Sequence, residues 1–225
     1  QQIADLGVNH YRLEAYWNWL QDDGQNSLKT DYNLEWQLSI TKAASADTVI
    51  MCVGRKVPHW PEFHVPDWVK TLSEDQQKQA LINYLTKLVS FYANDQRITH
   101  WQLENEVFFT FGSGTQYSDQ ENFLKLEAAT IRQYDALKRP IIITESGDKG
   151  DWTHAAAFGD ILGVSFYGIS HDGSGYVTHT NGMPADWLNR AAGIGIPVWL
   201  TELQAEPWGP RDNKSLSYAE SLGGP

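Results

Sequence analysis

The chain of 225 residues is poor in cysteine. Its single cysteine, Cys52, lies within the apolar stretch TVIMCVG and is predicted to be a small core residue. The sequence therefore offers neither a disulfide framework nor a cysteine-based metal site. One cysteine does not fix the cellular compartment, and a secreted or periplasmic location is our working expectation.

Positive charge and long apolar runs are also scarce. Lys and Arg number 17 against 28 Asp and Glu, which gives a formal net charge of -11, and the basic residues do not cluster. This balance argues against a nucleic-acid partner. The longest apolar run falls far short of the roughly 20 residues that a membrane-spanning helix requires, so we expect no membrane span.

Sequence motifs for phosphate and metal binding are missing as well. The segments GSGTQY and GDKGD lack the spacing of a phosphate-binding glycine loop, which argues against a Rossmann fold. No His-Glu-x-x-His sequence occurs, and two histidines five residues apart in a loop, His59 and His64, are a weak metal signal. We therefore predict no metal and no cofactor. A metal-dependent barrel hydrolase is a third interpretation, weakened by the lack of clustered His and Asp.

What the sequence does contain is a regular alternation of strand-like and helix-like segments. The predicted strands cover residues 8–13, DTVIMCVG, 98–106, RPIIITES, DILGVSFYG and 197–202. Between them, Ser73 with Gln76 predicts a capping box before a strongly periodic helix, and Ser118 with Glu121 predicts the start of the next one. Six strands alternating with helices are typical of an α/β fold.

Two α/β architectures fit this alternation, a (β/α)8 barrel of the TIM type and a doubly wound sheet. The missing phosphate loop favours the barrel. A chain of 225 residues with 41% hydrophobic content can bury one sizeable core. We therefore expect residues 1–225 to form a single (β/α)-barrel domain with about six β/α units.

Two glutamates end predicted strands that lie far apart in the sequence. Glu106 ends the segment HWQLENE, and Glu202 ends PVWLTE. In a barrel, the carboxyl ends of all strands meet on one face, so the two side chains are expected to converge. Glycoside hydrolysis requires such a pair, because one carboxyl protonates the leaving oxygen while the other attacks the anomeric carbon. Either glutamate alone fits a structural ion pair equally well.

The remaining carboxylates at strand ends and in loops are interpreted as structural or substrate-contacting groups. These are Glu14, Glu62, Glu104, Glu145 and Glu206. Strand alternation would place Gln102, Glu104 and Glu106 on one face of the sheet. Glu104 lies deeper along that strand and is expected to be a hydrogen-bonded interior group.

The residues at these strand ends resemble those of the clan A retaining glycosidases, which include cellulases, mannanases and β-galactosidases on a (β/α)8 barrel. The similarity consists of Asn105-Glu106 at one strand end, Glu202 three strands later, and Arg12 at the end of the first predicted strand. In that clan the acid/base glutamate follows the fourth strand and the nucleophile follows the seventh. The usual Asn-Glu-Pro is Asn-Glu-Val in this chain, which leaves the chemistry intact.

The resemblance implies a hydrolase that cleaves β-glycosidic bonds of a poly- or oligosaccharide with retention, by double displacement. Glu106 would be the acid/base and Glu202 the nucleophile. Asn105 would contact the sugar 2-hydroxyl, Arg12 would support the nucleophile electrostatically, and Tyr167 would donate a hydrogen bond to it. Arg12 also fits a buried ion pair and Tyr167 fits core packing. The competing interpretation is a non-catalytic carbohydrate-binding or scaffold protein on a cut-down barrel.

The loop VGRKVPHWPEFHVPDW contains three prolines, which stiffen it. We predict that it forms a wall of the sugar-binding site, with Trp60 stacking on a sugar ring and Arg55, His59 or His64 bonding hydroxyls. Trp208, in a later loop, is a further aromatic platform candidate. Each of these residues also fits a packed loop that fills the barrel mouth.

The strand count predicts that the barrel is incomplete. If VNHYRL is the second strand, Glu106 falls on the fourth and Glu202 on the seventh, as the resemblance requires. The first and eighth strands, which are neighbours in a closed barrel, are then expected to be missing, and the domain to be truncated at both ends. The outer strands would become open edges, through which a homo-oligomer is possible.

Overall fold

The computed structural model describes residues 5–22, 27–29, 33–110, 112–147, 149–167, 169–171, 176–178 and 185–203. The strands are β1 (His10–Glu14), β2 (Thr48–Val53), β3 (His100–Leu103), β4 (Ile141–Ser146), β5 (Ile161–Phe166), β6 (Ile169–His171), β7 (Tyr176–Thr178) and β8 (Val198–Leu203). The helices are α1 (Trp17–Leu20), α2 (Leu34–Ala43), α3 (Asp67–Lys70), α4 (Glu74–Phe91), α5 (Gln120–Tyr134), α6 (Trp152–Ala156) and α7 (Ala185–Ala192).

Six of the strands form one parallel sheet in the order β1-β2-β3-β4-β5-β8. The strands β6 and β7 form a separate antiparallel pair between β5 and α7. The sheet is curled into a half-barrel, which confirms the predicted six-strand, incomplete barrel of the TIM type. Within the described ranges, β1 and β8 are its two edges, and self-association through these edges stays a prediction.

The outer face of the sheet packs against the helices and carries most of the core. The larger fully buried side chains of this core come from the strands and from the helices and include Met51, Leu85, Leu88, Trp101, Leu103 and Leu124. The inner face has a smaller apolar cluster of Ile50, Cys52, Val57, Ile142 and Ile161, against which Trp199 packs. Each strand therefore alternates between the two layers, as a sheet that is buried on both faces requires. The thiol of Cys52 is buried, as predicted.

The longest described helix, α4, begins with the predicted capping box. The Ser73 side chain accepts from the backbone N–H of Gln76, and the Gln76 side chain accepts from the backbone N–H of Ser73. The predicted cap of α5 is wrong, because the helix begins after Asp119 and the Ser118 hydroxyl donates instead to Glu74 Oε1 at 2.7 Å. No described helix has the length and apolarity that would let it cross a membrane.

The strand predicted over residues 98–106 is shorter in the structure. β3 ends at Leu103, and the backbone then turns through left-handed conformations, with φ of 57° at Glu104 and 43° at Glu106. The turn breaks strand alternation, so the prediction that Glu104 and Glu106 share one face with Gln102 is wrong. The Glu104 carboxyl lies among Arg55, Lys56 and Glu127 of α5, toward the helix layer. As predicted, it is a hydrogen-bonded interior group.

Candidate active site

Arg12 on β1 connects three strands at the carboxyl end of the sheet. Its Nη1 donates to Glu202 Oε2 at 2.9 Å, its Nη2 donates to Asn105 Oδ1 at 3.0 Å, and its Nε donates to Gln102 Oε1 at 2.8 Å. The planar guanidinium matches this spread of acceptors, because its N–H groups point in fixed directions. Arg12 therefore fixes the side chains of β3 and β8 relative to each other.

Glu202 has a partner on each carboxylate oxygen. Oε2 accepts from Arg12, and Oε1 accepts a hydrogen bond from the Tyr167 hydroxyl that follows β5. Both hydrogen bonds involve the charged form of the carboxylate, and bonds of this type are roughly twice as strong as neutral ones. About a quarter of the Glu202 side chain remains exposed. The site therefore holds a Glu202 side chain that is oriented by two donors and is still open to solvent.

Glu106 has the opposite environment. Only 7% of the residue is exposed. Burial, followed by the negative charge of Glu202, raises the pKa of Glu106 to about 7, while the nearby Ser165 hydroxyl and the Lys56 ammonium act in the other direction. A large fraction of this carboxyl is therefore protonated at neutral pH and can donate a proton.

The turn that carries Glu106 is held by β4. Thr144 Oγ1 accepts from the backbone N–H of Glu106 at 2.9 Å and donates to Asn105 Oδ1 at 3.1 Å. Glu145 Oε2 accepts from the backbone N–H of Phe108 at 3.0 Å, and its other oxygen accepts from a neighbouring backbone N–H. Glu145 therefore has contacts of the structural kind, as predicted for it.

Asn105 is hydrogen-bonded at both ends of its amide group. Its oxygen accepts from Arg12 and Thr144, and its Nδ2 donates to Glu62 Oε2 at 3.0 Å. Glu62 is buried, and its backbone φ is 70°. Burial raises the pKa of the Glu62 carboxyl, and the Glu202 charge adds to that effect, whereas the Asn105 hydrogen bond opposes it. A third carboxyl group thus lies beside the pair.

The residues predicted for the sugar-binding wall are spread over different environments. Trp60 is 52% exposed, and His59 is exposed as well. His64 is buried, with its ring 4.2 Å from that of Tyr16 and its Nε2 3.0 Å from the His59 carbonyl oxygen. Burial lowers the pKa of His64. His59 is close enough to act electrostatically on Glu14 at the end of β1, which places His59 near the mouth of the half-barrel.

Arg55 lies apart from the two carboxyl groups. Its guanidinium stacks over Tyr117 at 3.6 Å from the ring centroid and donates to the Thr115 carbonyl and Gln120 Oε1. These are the contacts of a packed loop. Trp208 lies outside the described residues. Sugar contacts of Arg55, His59, His64, Trp60 and Trp208 stay predictions, as do the roles of Arg12, Asn105 and Tyr167.

Sequence reasoning assigned no role to Lys56 or Thr144, although both touch the turn that carries Glu106. Their positions were a usable signal, because Lys56 comes just after β2 and Thr144 lies next to Glu145 near the end of β4. Side chains at the carboxyl ends of barrel strands concentrate in the site. Among the described residues, no group of three His, Cys, Asp or Glu side chains is arranged to hold a metal ion.

Comparisons by sequence give no match, since neither a protein-family model nor a curated protein aligns with the chain. Comparisons by structure give many matches to glycoside hydrolases. The similarity to clan A barrels that the strand-end residues indicated is therefore confirmed at the level of the fold.

Three solved structures illustrate the similarity. A β-galactosidase from the psychrophilic Marinomonas ef1 superposes with a TM-score of 0.66 at 15% identity, over 96% of this chain and 47% of that one. Xylanase 10B from Thermotoga petrophila RKU-1, in complex with xylobiose, superposes with a TM-score of 0.64 at 14% identity, over 94% of this chain and 67% of the xylanase. A GH5_18 protein from Streptomyces cattleya, in complex with GlcNAc, superposes with a TM-score of 0.55 at 16% identity, over 73% of this chain and 44% of that one.

The chain spans under half the length of two of these proteins and 67% of the xylanase. Identities this low describe the fold alone. The fold is an α/β half-barrel of six parallel strands that matches the barrels of glycoside hydrolases.

Proposed function

We propose that this half-barrel is the catalytic part of a retaining β-glycosidase that acts on a poly- or oligosaccharide. Glu202 is the nucleophile and Glu106 is the acid/base. The observation that carries the proposal is the contrast between the two carboxyl groups. One has hydrogen-bond donors on both oxygens, and the other is buried with its pKa raised to about 7.

In the first step, Glu106 transfers its proton to the glycosidic oxygen while a Glu202 oxygen attacks the anomeric carbon. The bond to the leaving sugar breaks, and a glycosyl ester of Glu202 forms. In the second step, Glu106 takes a proton from water, the resulting hydroxide attacks the anomeric carbon, and Glu202 leaves as a carboxylate. Two inversions give net retention, which requires carboxyl groups about 5 to 5.5 Å apart.

The electrostatics of the pair favour this change of role. The negative charge of Glu202 is one cause of the raised pKa of Glu106. Formation of the ester removes that charge, so the Glu106 carboxyl becomes a stronger acid and is found mainly as a carboxylate in the intermediate. The group that donates a proton in the first step is thereby prepared to accept one in the second.

Asn105 and Glu62 provide an arrangement for recognising a sugar hydroxyl. One Asn105 N–H donates to Glu62, and within the described residues the second N–H can donate to a ligand. A hydroxyl that accepts from Asn105 can donate to the adjacent Glu62 carboxylate. The structural neighbours include proteins solved with GlcNAc and with xylobiose, so glucosaminides and xylosides belong in a substrate panel, together with galactosides, glucosides and mannosides.

The test is hydrolysis of aryl β-glycosides by the wild-type chain and by Glu106→Gln and Glu202→Gln. Glu121→Gln is the matched control, since Glu121 is an exposed α5 residue that contacts His154. We expect both site variants to lose turnover and the control to retain it. The loss at Glu106→Gln should be smaller for substrates with a good leaving group, because these need little protonation. Sugar binding without turnover in the wild type would instead favour a carbohydrate-binding protein.

The assignment of the nucleophile has its own test. A 2-deoxy-2-fluoro glycoside with an activated leaving group slows hydrolysis of the ester, so the glycosyl group should accumulate on Glu202 and appear in peptide mass spectra. Label on any other carboxyl group would refute the assignment. The anomeric configuration of the first product, followed by proton NMR, distinguishes retention from inversion.

A further inference from the structure

Lys56, which follows β2, has its ammonium group buried in the turn that carries Glu106. The residue is 3% exposed. Its Nζ donates to the backbone carbonyl of Glu106 at 2.9 Å and to that of Phe109 at 2.7 Å. In the part of the chain that the structure describes, no carboxylate lies in ion-pair contact with this ammonium. Burying a charge costs free energy unless the charge is paired and hydrogen-bonded, and here the hydrogen bonds come from these two backbone carbonyls.

The reverse contact runs from the turn back to the segment that contains Lys56. Glu104 Oε1 accepts from the backbone N–H of Arg55 at 2.8 Å, and Oε2 accepts from that of Lys56 at 2.6 Å. We call residues 54–56 and 104–109 the loop clamp. Four hydrogen bonds, two in each direction, connect its two segments.

The backbone of the turn needs such support. Glu104 and Glu106 both have positive φ, at 57° and 43°. Residues other than glycine adopt this region rarely, and they remain there only where surrounding contacts hold them. The Glu106 carbonyl is one of the two groups that Lys56 binds, so the ammonium acts directly on the strained residue.

Lys56 is also a positive charge close to several carboxyl groups. Burial lowers its pKa, while the charges of Glu106, Glu62, Glu104 and Glu145 raise it. Several charged groups act electrostatically on Glu106. The Glu202 and Glu62 carboxylates raise the pKa of Glu106, and the Lys56 ammonium lowers it. The Tyr167 hydroxyl lies close enough for the charge of Glu106 to act on it.

We propose that Lys56 is a positioning residue for Glu106: its ammonium holds the left-handed turn that aims the Glu106 carboxyl and supplies the positive charge that acts on it. The catalytic part of this role rests on the function proposed above. The structural and electrostatic parts concern Glu106 whatever the chain hydrolyses.

The experiment compares Lys56→Met, which removes the charge and the donors, with Lys56→Gln, which keeps a donor. Lys78→Met is the matched control, because Lys78 pairs with Glu74 on α4 and does not touch the turn. Circular dichroism first establishes which variants fold. Carbon-13 labelled glutamate then allows the titration of the Glu106 carboxyl to be followed by NMR, with Glu106→Gln to assign the signal.

We expect the Glu106 midpoint to rise by about one pH unit in Lys56→Met and in Lys56→Gln, and to stay at the wild-type value in Lys78→Met. With a hydrolysed glycoside, kcat should fall on the order of 100-fold in Lys56→Met with little change in KM, since a small misplacement of a catalytic group has that effect. Lys56→Gln should retain more of kcat, because its amide can still bind one carbonyl.

A folded Lys56 variant in which Glu106 titrates at the wild-type pH would overturn the proposal. Should Lys56→Met fail to fold, the same measurement on Lys56→Gln decides. A wild-type chain that hydrolyses no glycoside would refute the proposed function alone, because the NMR titration reads the effect of Lys56 without turnover.

Discussion

Arg12 and Glu202 lie on the two edge strands of the half-barrel and are joined by a 2.9 Å ion pair. Four strands separate β1 from β8 in the order of the sheet, yet Arg12 reaches both the Glu202 carboxylate and, at 3.4 Å, the Thr201 carbonyl. The sheet is therefore curled so far that its edges face each other at the carboxyl end. A site for two carboxyl groups exists because of this closure.

Replacing Arg12 tests that connection. Arg12→Met should lower kcat/KM on the order of 100-fold, because Glu202, Asn105 and β3 lose their common partner. Arg12→Lys should recover little of this loss, since an ammonium cannot bind acceptors in several fixed directions. Arg132→Met, which breaks an exposed pair with Asp160, is the control and should leave the kinetics unchanged. Wild-type kinetics in Arg12→Met would contradict the proposed role.

The pH dependence should follow the protonation of Glu106. In the proposed mechanism the protonated carboxyl is the acid, so kcat/KM should decline as the pH rises above about 7, where Glu106 loses its proton. In Glu202→Gln the charge contribution disappears while burial remains, so the Glu106 midpoint should fall. Carbon-13 NMR of labelled glutamate measures it without turnover. An unchanged midpoint in Glu202→Gln would mean that the two groups are not coupled.

Trp60 should contribute to sugar binding rather than to stability. Its side chain is half-exposed, so Trp60→Ala should lower the free energy of unfolding by less than the about 3 to 5 kcal/mol that the loss of a fully buried tryptophan costs. Affinity for an oligosaccharide, measured by calorimetry on Glu202→Gln to prevent turnover, should drop by about tenfold. The exposed Trp36 on α2 is the matched control, and Trp36→Ala should bind normally. A large stability loss with unchanged affinity would identify Trp60 as a packing residue.

The buried carboxyl of Glu127 should make stability depend on pH. Burial, followed by the charge of Glu104, raises the pKa of Glu127 well above its ordinary value. Its folded-state pKa then exceeds the unfolded value, so the contribution to stability is full below the ordinary glutamate pKa and is lost as the pH rises toward the folded pKa. In urea unfolding, the free energy of unfolding of Glu127→Gln should therefore increase relative to that of the wild type as the pH rises from 5 to 8. Asp75→Asn, which replaces an exposed carboxylate of α4, should show no such gain, and an equal shift in both would contradict this assignment.

The sequence is informative where chain geometry leaves few choices. Parallel strands present their carboxyl ends on one side, so the proximity of Arg12, Asn105 and Glu202 follows from the strand count and from the residues at each strand end. The capping box at Ser73 is similarly local, since it depends on residues three apart. These features need no knowledge of long-range packing.

The features that were missed depend on contacts between distant segments. The turn after Leu103 has left-handed glutamates, which propensity does not predict, because the hydrogen bonds of Lys56 and Thr144 hold them there. Likewise, Ser118 would cap α5 on local grounds, but Glu74 of α4 takes its hydroxyl instead. In each case a tertiary contact overrides a local preference.

The loop clamp has a practical consequence for protein engineering. A Cβ added at Gly54 would lie 2.4 Å from Glu104 Oε1, and Gly54 also has a φ of 125°, so the first segment of the clamp admits no side chain at this position. A turn grafted from another barrel in place of residues 104–109 would have to supply a carboxylate beside this glycine and backbone carbonyls placed to accept from Lys56. We therefore expect a grafted turn to fold correctly only when both segments of the loop clamp, 54–56 and 104–109, are replaced together.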